Sequence, residues 1–286
     1  MELLQLAING LAIGSTLAMA AMGLTLTFGV LRLPNFAHGD FLTLGAYVSW
    51  AANTGGASLW AAMPLGALGT VAAMLLAERL LWRPTRSARA SAATLIITSI
   101  GLGLFVRSGV LLIWGGSNRS YDLPVMPALN AFGLDIAFFR VVAIALAGAA
   151  ILGVHLLLQR TRMGKAMRAV ADNIDLARIS GIDVDRVVLW TWGLAGTLAA
   201  IGGTTYGLMT AVRPDMGWFL LLPIFAATIA GGIGNPYGAI TGAFIIGMAQ
   251  ELSVPLLGSQ YKLAAALVVM VLVLLLRPQG LFRGTL

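Results

Sequence analysis

The chain has 286 residues, 59% of them hydrophobic and only 10% charged, and its mean hydropathy is +0.90. Soluble domains carry about 25% charged residues, so this composition excludes a water-covered surface and indicates an all-α polytopic membrane protein. The absence of cysteine excludes disulfides and thiolate metal sites. Two widely separated histidines, His38 and His155, offer too few ligands for a catalytic metal centre. The net charge of +7 is no sign of nucleic-acid binding, because the basic residues gather beside apolar segments.

A membrane-crossing helix needs about 20 apolar residues. The opening "MELLQLAING" lacks the basic start of a signal peptide, so residues 3–30 read as the first span. A break follows in "LPNFAHGDFLTLGAY", residues 33–47. Pro34 disfavours helix at Leu33 and has no N–H to give, and Asn35 suits the cap of a helix beginning at Phe36. The expectation is a structured break in which Asn35, His38 and Asp40 border a substrate pathway. A plain cytoplasmic turn beside Arg32 is the alternative. The next apolar segments are 38–52, 57–82 and 91–114, with four arginines, Arg79, Arg83, Arg86 and Arg89, within 79–89. The polar stretch "GGSNRSYDLPVMPALNAFGLD", with Arg119 as its one basic residue, then leads to the segment 136–159.

Residues 160–186 interrupt the apolar pattern with Arg160, Arg162, Lys165, Arg168, Arg178 and Arg186. Met163, Met167, Val170, Ile174 and Ala177 recur at helical spacing as one apolar stripe, with Lys165, Arg168, Asp172 and Asp175 on another face. Asp172 is placed to cap a second turn with Asp175 at its third position, and Gly181 to end it. One reading is a helix anchored on anionic lipid. Four acids, Asp172, Asp175, Asp183 and Asp185, favour docking to a soluble protein. The docking candidates are Met163, Gly164, Met167, Arg168, Ala169, Val170, Asp172, Ala177 and Gly181.

Apolar segments at 187–211, 218–232, 236–254 and 261–277 complete the chain. The segments 38–52 and 218–232 are short for a full span, so the count is eight or nine transmembrane or half-spanning helices. "GNPYGAITGAFIIG", residues 234–247, echoes the first break, and Gly231, Gly232, Gly234, Asn235 and Gly238 are candidates for a second one at the pathway. Close packing of small residues is the competing reading. All seven tryptophans fall at segment ends, as headgroup-level indoles do. Basic residues place 83–90, 160–186 and the terminal "RPQGLFRGTL" on the cytoplasmic side.

Taken together, "NGLAIGSTLAMAAMGLTLTFGVLRLPNFAHGDFLTLGAY", "MGKAMRAVADNIDLARISGID", "AGGIGNPYGAITGAFIIG" and "RPQGLF" resemble the LivH-type permease subunits of branched-chain amino-acid ABC transporters, over essentially the whole chain as a single permease domain, residues 1–286. The resemblance implies a bacterial inner-membrane protein that pairs with a second homologous permease subunit. Two ATP-binding subunits would dock through 160–186, and a periplasmic substrate-binding protein would deliver branched-chain amino acids, urea, short amides or aromatic acids. ATP and Mg would sit on the partner subunits and no cofactor on this chain, which has no Walker A pattern. Two other readings are an ATP-independent secondary transporter, which needs mid-membrane ionisable residues, and an intramembrane aspartyl protease built on Asp40 and Asp122. The second fails in the sequence, because Ala37 stands where a glycine is needed and Asp122 lies in a polar loop.

Overall fold

A computed structural model describes residues 2–124, 126–127, 129–131 and 134–282; Arg283 lies outside them. Every apolar segment read above is helical. The elements are α1 (Glu2–Leu31), α2 (His38–Thr54), α3 (Leu59–Ala77), a π-helical turn (Glu78–Trp82), α4 (Arg83–Ser87), α5 (Ala92–Trp114), α6 (Phe138–Arg160), α7 (Arg162–Asp172), α8 (Ile174–Ile179), α9 (Val184–Met209), α10 (Met216–Gly231), α11 (Pro236–Leu252), α12 (Val254–Leu257) and α13 (Lys262–Leu276). A small antiparallel hairpin, β1 (Leu129–Ala131) with β2 (Leu134–Ile136), lies in the loop before α6. Among the described residues seven helical stretches are long and apolar enough to cross a membrane, and α10 is a shorter apolar one. The chain is a polytopic α-helical membrane protein.

The helix starts carry their caps in the sequence. The hydroxyls of Ser58 and Ser91 accept from the N–H groups of Ala61 and Thr94, and Asp183 accepts from Arg186. The basic segments gather at one end of the bundle, where Arg83 pairs with Asp185 and Arg32 donates to the carbonyl of Asp172. The loop before α6 lies at the other end. There Gln5 donates to the carbonyl of Asp135, Trp50 to that of Ser120, and Arg119 and Val212 exchange backbone bonds.

After α1 reaches the basic end, residues 32–37 turn back into the bundle. The carbonyl of Ala20 accepts from His38 Nε2 at 2.9 Å, and Ala20 is about 16 Å along α1 from that end, at ~1.5 Å per residue. From this depth α2 runs to the far end. Residues 210–215 make the opposite excursion: they return from the far end, and α10 starts beside Gly39 and runs to the basic end. The two helices have 17 and 16 residues, about 25 Å each, short of the ~30 Å hydrocarbon core. Both fall short of a full span and start at depth inside the bundle, the half-helices of the fold.

The packing repeats with inverted direction. α2 lies against α3 and α5 as α10 lies against α11 and α13, while α1 packs on α11 and α9 on α3. The inverted halves are thus α1–α5 and α9–α13, with α6–α8 between them. The partner of α2 in this arrangement is α10, and not α11, whose start at 234–247 resembles it in sequence. The Asn and Gly shared by those two stretches belong to helix starts: Asn235 Oδ1 accepts from the N–H groups of Tyr237 and Gly238 at 3.0 and 3.2 Å.

Local expectations are corrected at three points. α2 begins at His38 rather than Phe36, because Asn35 closes a turn first: its Oδ1 accepts from Ala37 N–H and its carbonyl from His38 N–H. Asn173, in an extended conformation, caps α8 in place of Asp172, which ends α7; its Oδ1 accepts from Asp175 and Leu176. Trp82 and Trp192 are fully buried and stacked on each other rather than at headgroup level, and Trp192 Nε1 donates to Glu78 at 2.8 Å.

Candidate functional site

The two half-helices meet at their N-termini. A Cβ on Gly39 would lie 2.2 Å from the carbonyl oxygen of Gly217, and one on Gly217 would lie 1.8 Å from that of Gly39, so only glycine permits this backbone approach. Thr43 bridges the pair: its hydroxyl donates to the Gly39 carbonyl and accepts from Gly217 N–H at 3.0 Å. Next to it, Phe36 stacks on Phe225 with centroids 4.7 Å apart. Asn35 and His38 are fully buried here. A carbonyl can only accept, so His38 Nε2 carries the proton donated to Ala20. Its Nδ1 and the Nδ2 of Asn35 have no partner among the described residues.

Asp40 lies in the first turn of α2 and faces α5. Arg107 grips it through two bonds, Nε to Oδ1 at 2.9 Å and Nη2 to Oδ2 at 3.1 Å, and a Cβ on Gly103 would crowd the same carboxylate. The Arg107 guanidinium also lies over the ring of Trp218, 4.8 Å from its centroid. One cation therefore joins α2, α5 and α10 where the half-helices touch. The sequence singled out Asn35, His38 and Asp40 but missed Arg107, Thr43, Gly217 and Trp218. The usable signal was an arginine well inside a segment otherwise free of charge. The sequence also favours charges that escape to span ends, yet the buried acids are paired in place: Asp40 with Arg107, Glu78 with Arg86, Glu251 with Lys262. Arg140 bonds Asn9, and His155 bonds Tyr237. No buried carboxylate among the described residues lacks a cation, and Asp122 lies in the far-end loop, where its N–H donates to Asn53. Neither arrangement favours proton-coupled transport or an aspartyl dyad. At that far end Tyr121 donates to the carbonyl of Ala46 at 3.1 Å, and burial pushes its phenol up from its ordinary value.

The glycine cluster at 231–238 is elsewhere, at the basic end. Gly231 and Gly238 approach each other, with a Cβ on either about 2 Å from the other's carbonyl oxygen. Gly232 has φ +112 and would strike the Phe282 carbonyl. Gly234 has φ +88 with only Gly29 nearby, and its N–H donates to Thr25. These residues and the cap Asn235 form the α10–α11 turn and are not brought to the half-helix junction.

In the central segment the apolar stripe points into the protein. Met167, Val170 and Ala177 are buried, Gly164 sits against the Leu157 and Leu158 backbone, and Met163 and Ala169 are half-buried against the core. Arg168 donates to the carbonyl of Leu158. Its α7 part thus fastens α7 to the bundle by packing against α6, α1 and α9, whereas Ile174, also of the stripe, is exposed. Gly181 does end α8, with φ +83 and Ile182 N–H donating to Ala177. Exposed on α8 are Ile174, Leu176 and Ile179, the last 82% accessible.

Two inverted halves, each with a broken helix, are an arrangement found in membrane permeases. The family described as branched-chain amino acid transport system, permease component, matches residues 6–276, and the chain belongs to that family. It is 29% identical to the high-affinity branched-chain amino acid transport system permease protein BraD of Pseudomonas aeruginosa, over 97% of this chain and 95% of that one. It is 32% identical to the corresponding permease protein LivH of Escherichia coli, over 97% and 94%. Among solved structures, a chain of PsaBC from Streptococcus pneumoniae in complex with Fab has the same fold, with a TM-score of 0.54 and 15% identity over 98% of this chain and 93% of that one.

Proposed function

We propose that this chain forms half of the translocation pathway of an ATP-driven importer for branched-chain amino acids or a related small carboxylate, and that the α2–α10 junction is the part that opens. The contact of Gly39 with Gly217 carries the reading. Interrupted backbone at membrane depth is tolerated only where protein buries it or where it lines a cavity, and paired broken helices in inverted halves mark substrate regions of transporters. The N–H groups at such helix starts attract a carboxylate, and Asn35 and His38 supply polar atoms beside them. The relatives' names supply the substrate class.

The energy source in this reading is a pair of ATP-binding subunits, which hold the ATP and Mg. They dock on α8 through Ile174, Leu176 and Ile179 within the segment 160–186. A second homologous permease completes the pathway and a periplasmic binding protein delivers substrate. In this reading the end rich in Arg and Lys, with the residues that follow α13, faces the cytoplasm of a bacterial inner membrane, as the positive-inside rule favours.

Proteoliposomes holding the four kinds of subunit test this with radiolabelled leucine. Uptake is expected only with ATP and the complete set. Uptake by this chain alone, driven by an ion gradient, would return the secondary-transporter reading. Single cysteines at Lys165 or Asp175, introduced into a chain with none of its own, are expected to stay unlabelled by an impermeant reagent outside intact cells; labelling there would invert the topology.

A further inference from the structure

We propose that the seam between α3 and α9 at the basic end binds an anionic phospholipid, with Arg79 and Arg83 holding its phosphate and an acyl chain lying along the seam. A cavity of about 330 Å³ opens there between Leu75, Arg79 and Arg83 on one side and Asp185, Val188 and Leu189 on the other. Its wall is cationic at one end and aliphatic at the other, which is the polarity of a phospholipid.

The charges around the cavity leave the cations available. Glu78 also lines it, but its carboxylate is occupied by Arg86 and by Trp192 Nε1. Asp185 meets Arg83 at 3.2 Å in a pair whose side chains are 73% and 68% exposed. Such exposed pairs contribute little, so a phosphate, which a guanidinium binds through two parallel bonds, can take Asp185's place. Arg79 makes no hydrogen bond or ion pair with any described residue. Basic pockets between membrane helices are a recurrent form of headgroup site.

The same seam continues away from the arginines. A second cavity, about 490 Å³ and almost wholly apolar, is lined by Val71 and Leu68 of α3, Thr197 and Ile201 of α9 and Leu146 of α6. Val71 precedes Leu75 by one helical turn, so one wall serves both cavities. From Asp185 to Thr197 α9 rises about 18 Å at ~1.5 Å per residue. One leaflet is about 15 Å deep, half of the ~30 Å core. A single acyl chain spans that length.

The test uses the assembled transporter in nanodiscs of equimolar phosphatidylglycerol and phosphatidylcholine, with co-purified lipid read by mass spectrometry. The wild-type complex is expected to enrich phosphatidylglycerol, and Arg79→Gln with Arg83→Gln to lower that enrichment about thirtyfold, which is ~2 kcal/mol at ~1 kcal/mol per arginine. Leu189→Trp, at an exposed residue of the cavity's aliphatic part, keeps both arginines and is expected to lower it as well. Arg160→Gln with Arg277→Gln, at the same end but off the seam, is the control for general basicity. Equal enrichment in the wild type and the seam variant, or an equal loss in the control, overturns the proposal. Displacement of the lipid by millimolar inorganic phosphate assigns the site to a free anion and overturns it too. A photo-crosslinking residue at Val188 that captures a partner subunit rather than lipid would show that protein covers the seam, with the same consequence.

Discussion

Replacing Arg107 by methionine removes the cation that grips Asp40 and keeps most of the side-chain volume. The Asp40 side chain is only 3% exposed, so its carboxyl group is left buried without its partner. Breaking a buried pair from one side costs about 3–5 kcal/mol. Removal of the other partner is milder: Arg107 is 17% exposed and keeps its contact with Trp218, worth about 0.5–2 kcal/mol, so Asp40→Asn is expected to cost about 1–3 kcal/mol. The double variant Asp40→Asn with Arg107→Gln replaces the ion pair by a neutral hydrogen-bonding pair and is expected to recover to within about 1 kcal/mol of the wild type. The assay is the unfolding midpoint of the purified chain in mixed detergent, with ATP-driven uptake of the assembled complex measured beside it. The order expected is Arg107→Met below Asp40→Asn below the double variant. A double variant no better than Arg107→Met, or an Asp40→Asn more damaging than Arg107→Met, would refute the claim that the pair clamps α2 to α5.

Gly39→Ala and Gly217→Ala each force the half-helix backbones apart and are expected to abolish uptake while the complex still assembles; normal uptake in either would remove the junction from the pathway. Ile179→Asp is expected to weaken ATPase copurification, losing up to about 1.5–3 kcal/mol of side-chain burial with no change in the yield of the chain. Met167→Asp, by contrast, is expected to lower the yield itself, because it buries a charge inside the bundle. At the α10–α11 turn Gly231→Ala is expected to be more damaging than Gly234→Ala. The first meets the Gly238 carbonyl at 2.0 Å, whereas the second has room and costs only the roughly 1–2 kcal/mol of a left-handed alanine; thermal midpoints of the two variants decide it.

The apolar segments, the two short ones among them, were legible because length and hydropathy report on the bilayer directly. The break at Asn35–Asp40 was legible through Pro34 and the cluster of polar side chains. Its partners were not. Arg107 lies 67 residues from Asp40, and no periodicity links a charge on one span to a charge on another. The pairing of α2 with α10 was hidden because it rests on direction and depth, while the similarity of 33–47 to 234–247 reflects only what helix starts have in common. The stripe of Met167 and Val170 was read correctly as apolar, but a helical pattern does not say whether its apolar side meets the protein's own bundle or another chain. Trp82 and Trp192 show the same limit: an indole near a segment end suits a headgroup, and equally a buried stack in which Trp192 bonds Glu78.

The half-length of α2 bears on how the chain enters the membrane. A 17-residue segment carrying His38, Asp40 and Asn53 is a poor candidate for insertion by itself, since it is short of the roughly 20 apolar residues of a span and includes polar and ionisable groups. Its lodging is built from parts made later: Arg107 on α5 neutralises Asp40, Ala200 and Gly203 of α9 receive its side at Gly45 and Leu42, and Gly217 supplies its floor. The expected consequence is that residues 32–54 settle into the bundle only once α5, α9 and α10 are present, which the cysteine accessibility of chains truncated before Gly217 would check. α2 is then a helix whose place in the membrane is set by the bundle around it rather than by its own hydropathy.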